Sequence, residues 1–220
     1  MATYLVTGAN RGIGYEYCRQ LQARGNVIAV CRTASEELKQ LGVQVEEGID
    51  ITSDASVASL RDRLGDTTID VLINNAGIIK RVTLEDLDFD SIREQFEVNA
   101  LGPLRVTHAL LPLLKAGSKI ALMTSRMGSI ADNTSGSSYG YRMSKVALSM
   151  AGKSLSLDLK PHAIAVAILH PGLVQTRMTN FTSGGITPEE SVKGLLKRID
   201  ELTLENTGTF WHANGEVLPW

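Results

Sequence analysis

The sequence predicts an α/β fold: a single Rossmann-type domain spanning residues 1–220, with a doubly wound, parallel seven-stranded sheet and helices on both faces. Three observations predict it. Short apolar runs alternate with helical periodicities along the whole chain, the pattern of repeated βαβ units. Those runs are mostly continuous rather than alternating, as expected for strands buried on both faces. A glycine cluster, Gly8, Gly12 and Gly14, lies between the first apolar run and the first helical pattern, at the edge where open α/β sheets bind ligands.

The elements follow in order. Tyr4-Leu5-Val6 reads as the first strand, and Ile13 to Ala23 as a helix with Tyr17 and Leu21 one turn apart. Val27 to Val30 is the second strand, Ser35 to Leu41 a short helix, and Val43 to Glu47 the third strand. Ser53 to Leu64 puts Val57, Leu60 and Leu64 on one helical face, and Ile69 to Ile73 is the fourth strand. Ser91 to Leu114 reads as one long helix adjusted at Pro103, because proline removes a donor from the ladder. Lys119 to Met123, the helix Ser138 to Asp158, the strand Ala163 to Leu169, the helix Glu189 to Leu202 and the short strand Thr209 to Trp211 complete the sheet.

Composition narrows the function classes. Of 220 residues, 43% are hydrophobic and 21% charged, which argues against disorder. A net charge of −2 provides no basic field for nucleic acid or an anionic membrane. No apolar run approaches the ~20 residues of a membrane span. The two cysteines, Cys18 and Cys31, make no disulfide framework. With no basic leader at the start, a cytoplasmic location is expected. His108, His162, His170 and His212 are scattered, and no metal site is expected. Asp86, Asp88 and Asp90 read as a helix cap and a solvated loop rather than a calcium ladder.

The glycine loop runs Thr7-Gly8-Ala9-Asn10-Arg11-Gly12-Ile13-Gly14. Its glycines permit a tight turn, and the following helix aims its free N–H groups and positive dipole end at an anion such as a pyrophosphate. Later in the chain, Tyr141 and Lys145 stand four residues apart on a predicted helix and so share a face. A phenol is a poor acid–base catalyst at neutral pH, and a neighbouring ammonium favours its phenolate.

The loop's spacing resembles the cofactor fingerprint of the short-chain dehydrogenase/reductase family. Three further motifs carry the resemblance, in order, over nearly the whole chain: Asn74-Asn75-Ala76-Gly77 after the fourth strand, Tyr141-Arg142-Met143-Ser144-Lys145, and Pro171-Gly172 followed by Thr176. The compact layout is similar to C-factor- and sniffer-like members. The resemblance implies catalytic roles for Asn99, Ser125, Tyr141 and Lys145. It implies cofactor contacts from Gly8, Asn10, Arg11, Gly12, Ile13, Gly14, Arg32, Asp50, Ile51, Asn75, Ala76, Gly77, Tyr141, Lys145, Pro171, Gly172, Val174 and Thr176.

Arg32 stands at the end of the second strand, where NAD-binding members place a carboxylate. Arg32 and Arg11 together therefore imply NADP(H) in preference to NAD(H), since arginine grips a 2′-phosphate through a planar fork. Asp50 has a second reading, as a cap on the helix near Ser53.

Ser125 lies three residues before Gly128, matching the family's S-x-x-G. Its interval to Tyr141, sixteen residues, exceeds the commonest family spacing, and strict counting lands on Gly128. Ser129 is the alternative. Tyr139 faces away from Lys145 on the predicted helix and is not chosen. Asn99 resembles the family's mid-helix asparagine, whose carbonyl or amide holds a water that relays protons to the lysine.

The loop from Arg177 to Thr187 is short. It predicts an open, mostly apolar substrate site walled by Met127, Ile78, Met178 and Phe181, with Ser125 and Tyr141 at the reacting carbonyl. The expected activity is NADPH-dependent reduction of small to medium ketones or aldehydes, reversible as alcohol oxidation. The alternative is a C-factor-like, nucleotide-binding signalling protein with little turnover. The expected partner is a second copy of the chain, in a dimer or tetramer.

Overall fold

A computed structural model describes residues 1–220. One parallel sheet runs through the molecule in the strand order β3-β2-β1-β4-β5-β6-β7. The strands are β1 Ala2–Thr7, β2 Gly25–Cys31, β3 Gln44–Glu47, β4 Ile69–Asn74, β5 Leu114–Met123, β6 Ala165–His170 and β7 Phe210–His212. The helices are α1 Gly12–Leu21, α2 Glu36–Gln40, α3 Asp54–Leu64, α4 Phe89–Phe96, α5 Gly102–Leu110, α6 Tyr139–Asp158 and α7 Pro188–Asp200.

The apolar runs do what their continuity requires. Leu5, Ile28, Leu72, Ile120 and Val166 bury their side chains on one face of the sheet, against Val57, Leu60, Val106 and Leu148 of α3, α5 and α6. Val6, Ala29, Ile73, Ala121 and Ala167 face the other way, onto Tyr17 and Leu21 of α1 and Val192 and Leu195 of α7. The edge strand β3 is the exception, with no buried residue. Because β1 lies between β2 and β4, the chain reverses its direction of winding there. A crevice opens at the carboxyl ends of these strands.

One expected element breaks up. The predicted helix Ser91–Leu114 is divided into α4, a π-helical segment Glu97–Leu101, α5 and a 3-10 turn Leu111–Leu113, and Leu114 already belongs to β5. Pro103 has no N–H to give to the carbonyl of Asn99, and the ladder widens just before it. Gly102 seats Ile51 against the helix: a Cβ there would lie 2.7 Å from Ile51 Cδ1. Asp88 caps α4 by accepting from Ser91 N at 2.9 Å. No helix is long and apolar enough to cross a membrane.

Candidate active site

The β1–α1 turn is closed by its neighbour strand. Asn75 N and Ala76 N donate to Thr7 Oγ1 at 3.1 and 3.2 Å, and Asn75 Nδ2 donates to Thr7 O and Gly8 O at 3.0 and 3.3 Å. The Asn75 amide therefore clamps the ends of β1 and β4 together. Gly14 is required by close approach: a Cβ there would lie 2.1 Å from Gly8 O and 2.6 Å from Asn75 Nδ2. Gly8 has φ +66° and packs on the backbone of Ala76. Arg11 precedes α1 without a side-chain cap, which leaves first-turn N–H groups to a ligand.

Arg11 and Arg32 are exposed and Asn10 is half-buried. Asp50 Oδ1 accepts from Thr52 N at 2.9 Å and Thr52 Oγ1 at 2.8 Å. These bonds, aided by the more distant Arg32 and Arg105, hold its carboxyl below the usual range against partial burial. Ser53, not Asp50, caps α3, accepting from Ser56 N at 3.2 Å.

This cradle fits a dinucleotide. Its backbone is packed so closely that side chains are excluded at Gly8 and Gly14, the first turn of α1 has no side-chain cap, and exposed Arg11 and Arg32 stand at the ends of the turn and of β2.

The second half of the site lies over β5 and α6. Gly128 brings the turn after β5 onto α6, since a Cβ there would sit 2.8 Å from the Lys145 carbonyl carbon. Ser125 thereby shares a cavity with Tyr141. Tyr141 is 8% and Lys145 4% exposed. Lys145 Nζ donates to Met123 O at 2.8 Å and lies 5.7 Å from the Tyr141 ring centre. A Cβ at Gly77 would come within 3.5 Å of that ammonium and 3.2 Å of Asn99 Oδ1.

Burial pushes Lys145 down to about 8. The Tyr141 phenol is raised by burial, with Ser125 acting in the opposite direction. The phenol's net shift is therefore upward, against the expected lowering. Loss of water dominates, and Lys145 is turned toward a carbonyl.

Asn99 is fully buried in the π-helical segment. Its Oδ1 accepts from Ile78 N at 2.8 Å, while its Nδ2 donates to Ile78 O at 2.9 Å and Ser144 Oγ at 3.0 Å. Both amide protons are thus committed to protein, which leaves the carbonyl as the half of the expected carbonyl-or-amide water site still open. Asn99 thereby straps the segment after β4 to α6. Its main-chain carbonyl, facing Pro103 four residues on, lacks the usual helical donor.

Ser129 accepts from Asp132 N at 3.1 Å and lines a separate groove that excludes Tyr141. Tyr139 lines neither cavity.

The cavity above Tyr141 measures about 340 Å³. Its walls include Ile13, Ile79, Met127, His170 and Met178, along with Pro171, Gly172, Val174 and Thr176. Phe181 corrects the expectation: it is 67% exposed and outside the lining. It follows Asn180, and both have left-handed backbones that turn the chain outward. Ile79 takes the wall position expected of Ile78, whose backbone is tied to Asn99. The loop over the site is stapled at its base, where Gln175 N donates to Ile186 O at 2.9 Å and Ile186 N to Leu173 O at 2.8 Å.

Sequence reasoning missed Arg126, Arg142 and His170 as lining residues. The available signal was position: Arg126 follows the proposed serine, Arg142 follows the tyrosine, and His170 precedes Pro171-Gly172.

The family model described as short chain dehydrogenase matches residues 2–185. The chain is similar to a 1-hydroxy-2-glutathionyl-2-methyl-3-butene dehydrogenase of Rhodococcus sp. (strain AD45), 44% identical over 226 residues covering 100% of each. It is also similar to the C-signal protein of Myxococcus xanthus, 47% identical over 155 residues, covering 69% of this chain and 93% of that one. Among solved structures, the NADPH-bound carbonyl reductase from chicken fatty liver superposes with a TM-score of 0.90 at 30% identity. That match covers 100% of this chain and 99% of the other.

Proposed function

From the premise that this chain belongs to the short chain dehydrogenase family and is an oxidoreductase, we propose that it is an NADPH-dependent carbonyl reductase. Its substrates are small to medium, mostly apolar ketones and aldehydes, with alcohol oxidation as the reverse reaction. The observation that carries this reading is one cavity holding Ser125 and Tyr141, with Lys145 adjoining Tyr141. The likeness to an NADPH-bound carbonyl reductase supports the cofactor, as do Arg11 and Arg32 beside the crevice.

The glycine loop and first turn of α1 would hold the pyrophosphate. Arg11 and Arg32 would hold the 2′-phosphate, and Lys145 with Thr176 would hold the nicotinamide end. The bound cofactor supplies hydride. Ser125 Oγ orients the carbonyl oxygen by donating to it. Tyr141, kept neutral by burial, gives that oxygen its proton. Lys145 holds charge beside the phenol and favours the phenolate left behind. Asn99 acts by position, keeping α6 at its distance from the β4 segment.

Exposed Leu101, Leu104, Met143 and Met150 on the π-helical segment, α5 and α6 support a homo-oligomer, a dimer or tetramer. A cytoplasmic location accords with the two free cysteines.

A panel of aldehydes and ketones, run with NADPH and NADH side by side, tests the reading. NADPH oxidation with several apolar carbonyls is expected. Activity on one charged compound alone would remove the substrate class, and a strong NADH preference would remove the roles of Arg11 and Arg32. The likeness to C-signal favours the second reading, a nucleotide-binding signalling protein. NADPH binding without oxidation by any compound would establish that alternative.

A further inference from the structure

Three strand ends stand side by side at the substrate cavity. Met123 of β5 pairs with Leu169 of β6, and His170 pairs with His212 of β7. His170 and His212 therefore end adjacent strands spaced ~5 Å apart, and Ser125 lies two residues beyond the neighbouring end of β5. His170 lines the cavity with Ser125 and Tyr141, yet nothing in the reduction described above uses it.

The ring is held in place. It stands edge-on to His212, with centroids 4.8 Å apart and planes at 81°. Its Nδ1 is buried without a hydrogen-bond partner, while Nε2 makes no hydrogen bond within the protein and is not among the buried, unpaired atoms. Arg126, also in the lining, is anchored by Asp132 at 3.1 Å and Glu216 at 2.7 Å. Burial first, then His212 and Arg126, push His170 down to about 3. The imidazole is therefore neutral and carries one N–H. With Nδ1 buried and unpaired, Nε2 is the nitrogen left to meet a ligand. A neutral imidazole, packed edge-on to His212, thus lines the same cavity as Ser125 and Tyr141.

We propose that His170 sets substrate specificity: its Nε2–H donates to a second oxygen on the carbon next to the reacting carbonyl. The favoured substrates are then vicinal dicarbonyls and α-oxygenated ketones. The inference rests on the reductase reading, and it names a chemical class within that reading. A donor facing the cavity discriminates because a substrate lacking the matching oxygen leaves it unpaired.

The test compares phenylpropanedione with propiophenone, which share a skeleton and differ by one oxygen. The readout is the ratio of their kcat/KM values with NADPH in wild type, His170→Phe and His170→Gln. Wild type is expected to favour the dione. His170→Phe should lower the ratio about tenfold, mainly through the KM of the dione, and His170→Gln should restore part of it. NADPH titration checks that each variant folds.

An unchanged ratio in His170→Phe would overturn the proposal, as would an equal loss on both compounds. If wild type reduces neither compound, the reductase reading fails for this pair, and calorimetric binding to the NADP complex decides the role of His170 separately. Tighter binding of the dione that is lost in His170→Phe would support it, and equal binding of the two compounds would refute it.

Discussion

The two ends of the sheet's ligand-binding edge are built differently. At β1 and β4 the cradle is backbone packed on backbone, with no space for a Cβ at Gly14 and an asparagine amide joining the strand ends. At β5, β6 and β7 the cavity is made of side chains from loops, helices and a strand end: Ile79, Met127, Tyr141, His170 and Met178. A backbone cradle takes one ligand shape and tolerates few changes. A side-chain wall can be altered one residue at a time while the sheet beneath stays intact.

Substitutions at the two ends should therefore differ in kind. The largest effect is expected from Gly14→Ala, whose new methyl has only main-chain and amide atoms to push against. It should destabilise the fold by about 3 kcal/mol and abolish NADPH binding, read by thermal melts and cofactor titration. A stable, cofactor-binding variant would show that the cradle is looser than this packing implies.

Lys145→Met should act in the opposite direction on stability. The folded Lys145 titrates near 8, below its ordinary 10.5. Below pH 8 both folded and unfolded chains carry the ammonium, and the folded chain bears it buried. Between pH 8 and 10.5 the unfolded chain still holds the proton that the folded chain has released, so wild-type stability rises with pH across this window. The variant should melt a few degrees higher than wild type at pH 7, and the difference should shrink toward pH 10.5. An advantage independent of pH would contradict the buried-cation account.

Arg32→Ala should weaken NADPH binding roughly tenfold, as loss of charged hydrogen bonds does, and leave NADH binding unchanged. Equal weakening of both would assign Arg32 to structure. The smallest effect is expected from Met178→Ala. Its side chain is 46% exposed, so Tm should stay within about a degree while KM shifts by substrate.

The same contrast explains what was legible in the sequence. The order of elements and the cradle could be read because each depends on consecutive residues: an apolar run, a glycine turn, a tyrosine and lysine one helical turn apart. Asn99 was found, but the partners of its side chain were not. Only the fold shows its amide engaged by Ile78 and Ser144. The π-helical segment was hidden because Pro103 signals disruption without saying how the ladder adjusts. Phe181 was misplaced and His170 passed over for one reason: a substrate wall depends on which strand ends become neighbours, and the spacing of residues along the chain does not carry that information.

The central claim is that Tyr141 delivers the proton in an NADPH-dependent carbonyl reduction. The most direct measurement is NADPH oxidation by Tyr141→Phe against wild type, with NADPH affinity measured on both. The account predicts turnover reduced at least a hundredfold with cofactor affinity within about twofold, since the phenol hydroxyl is the only group removed. Turnover near the wild-type rate would contradict it.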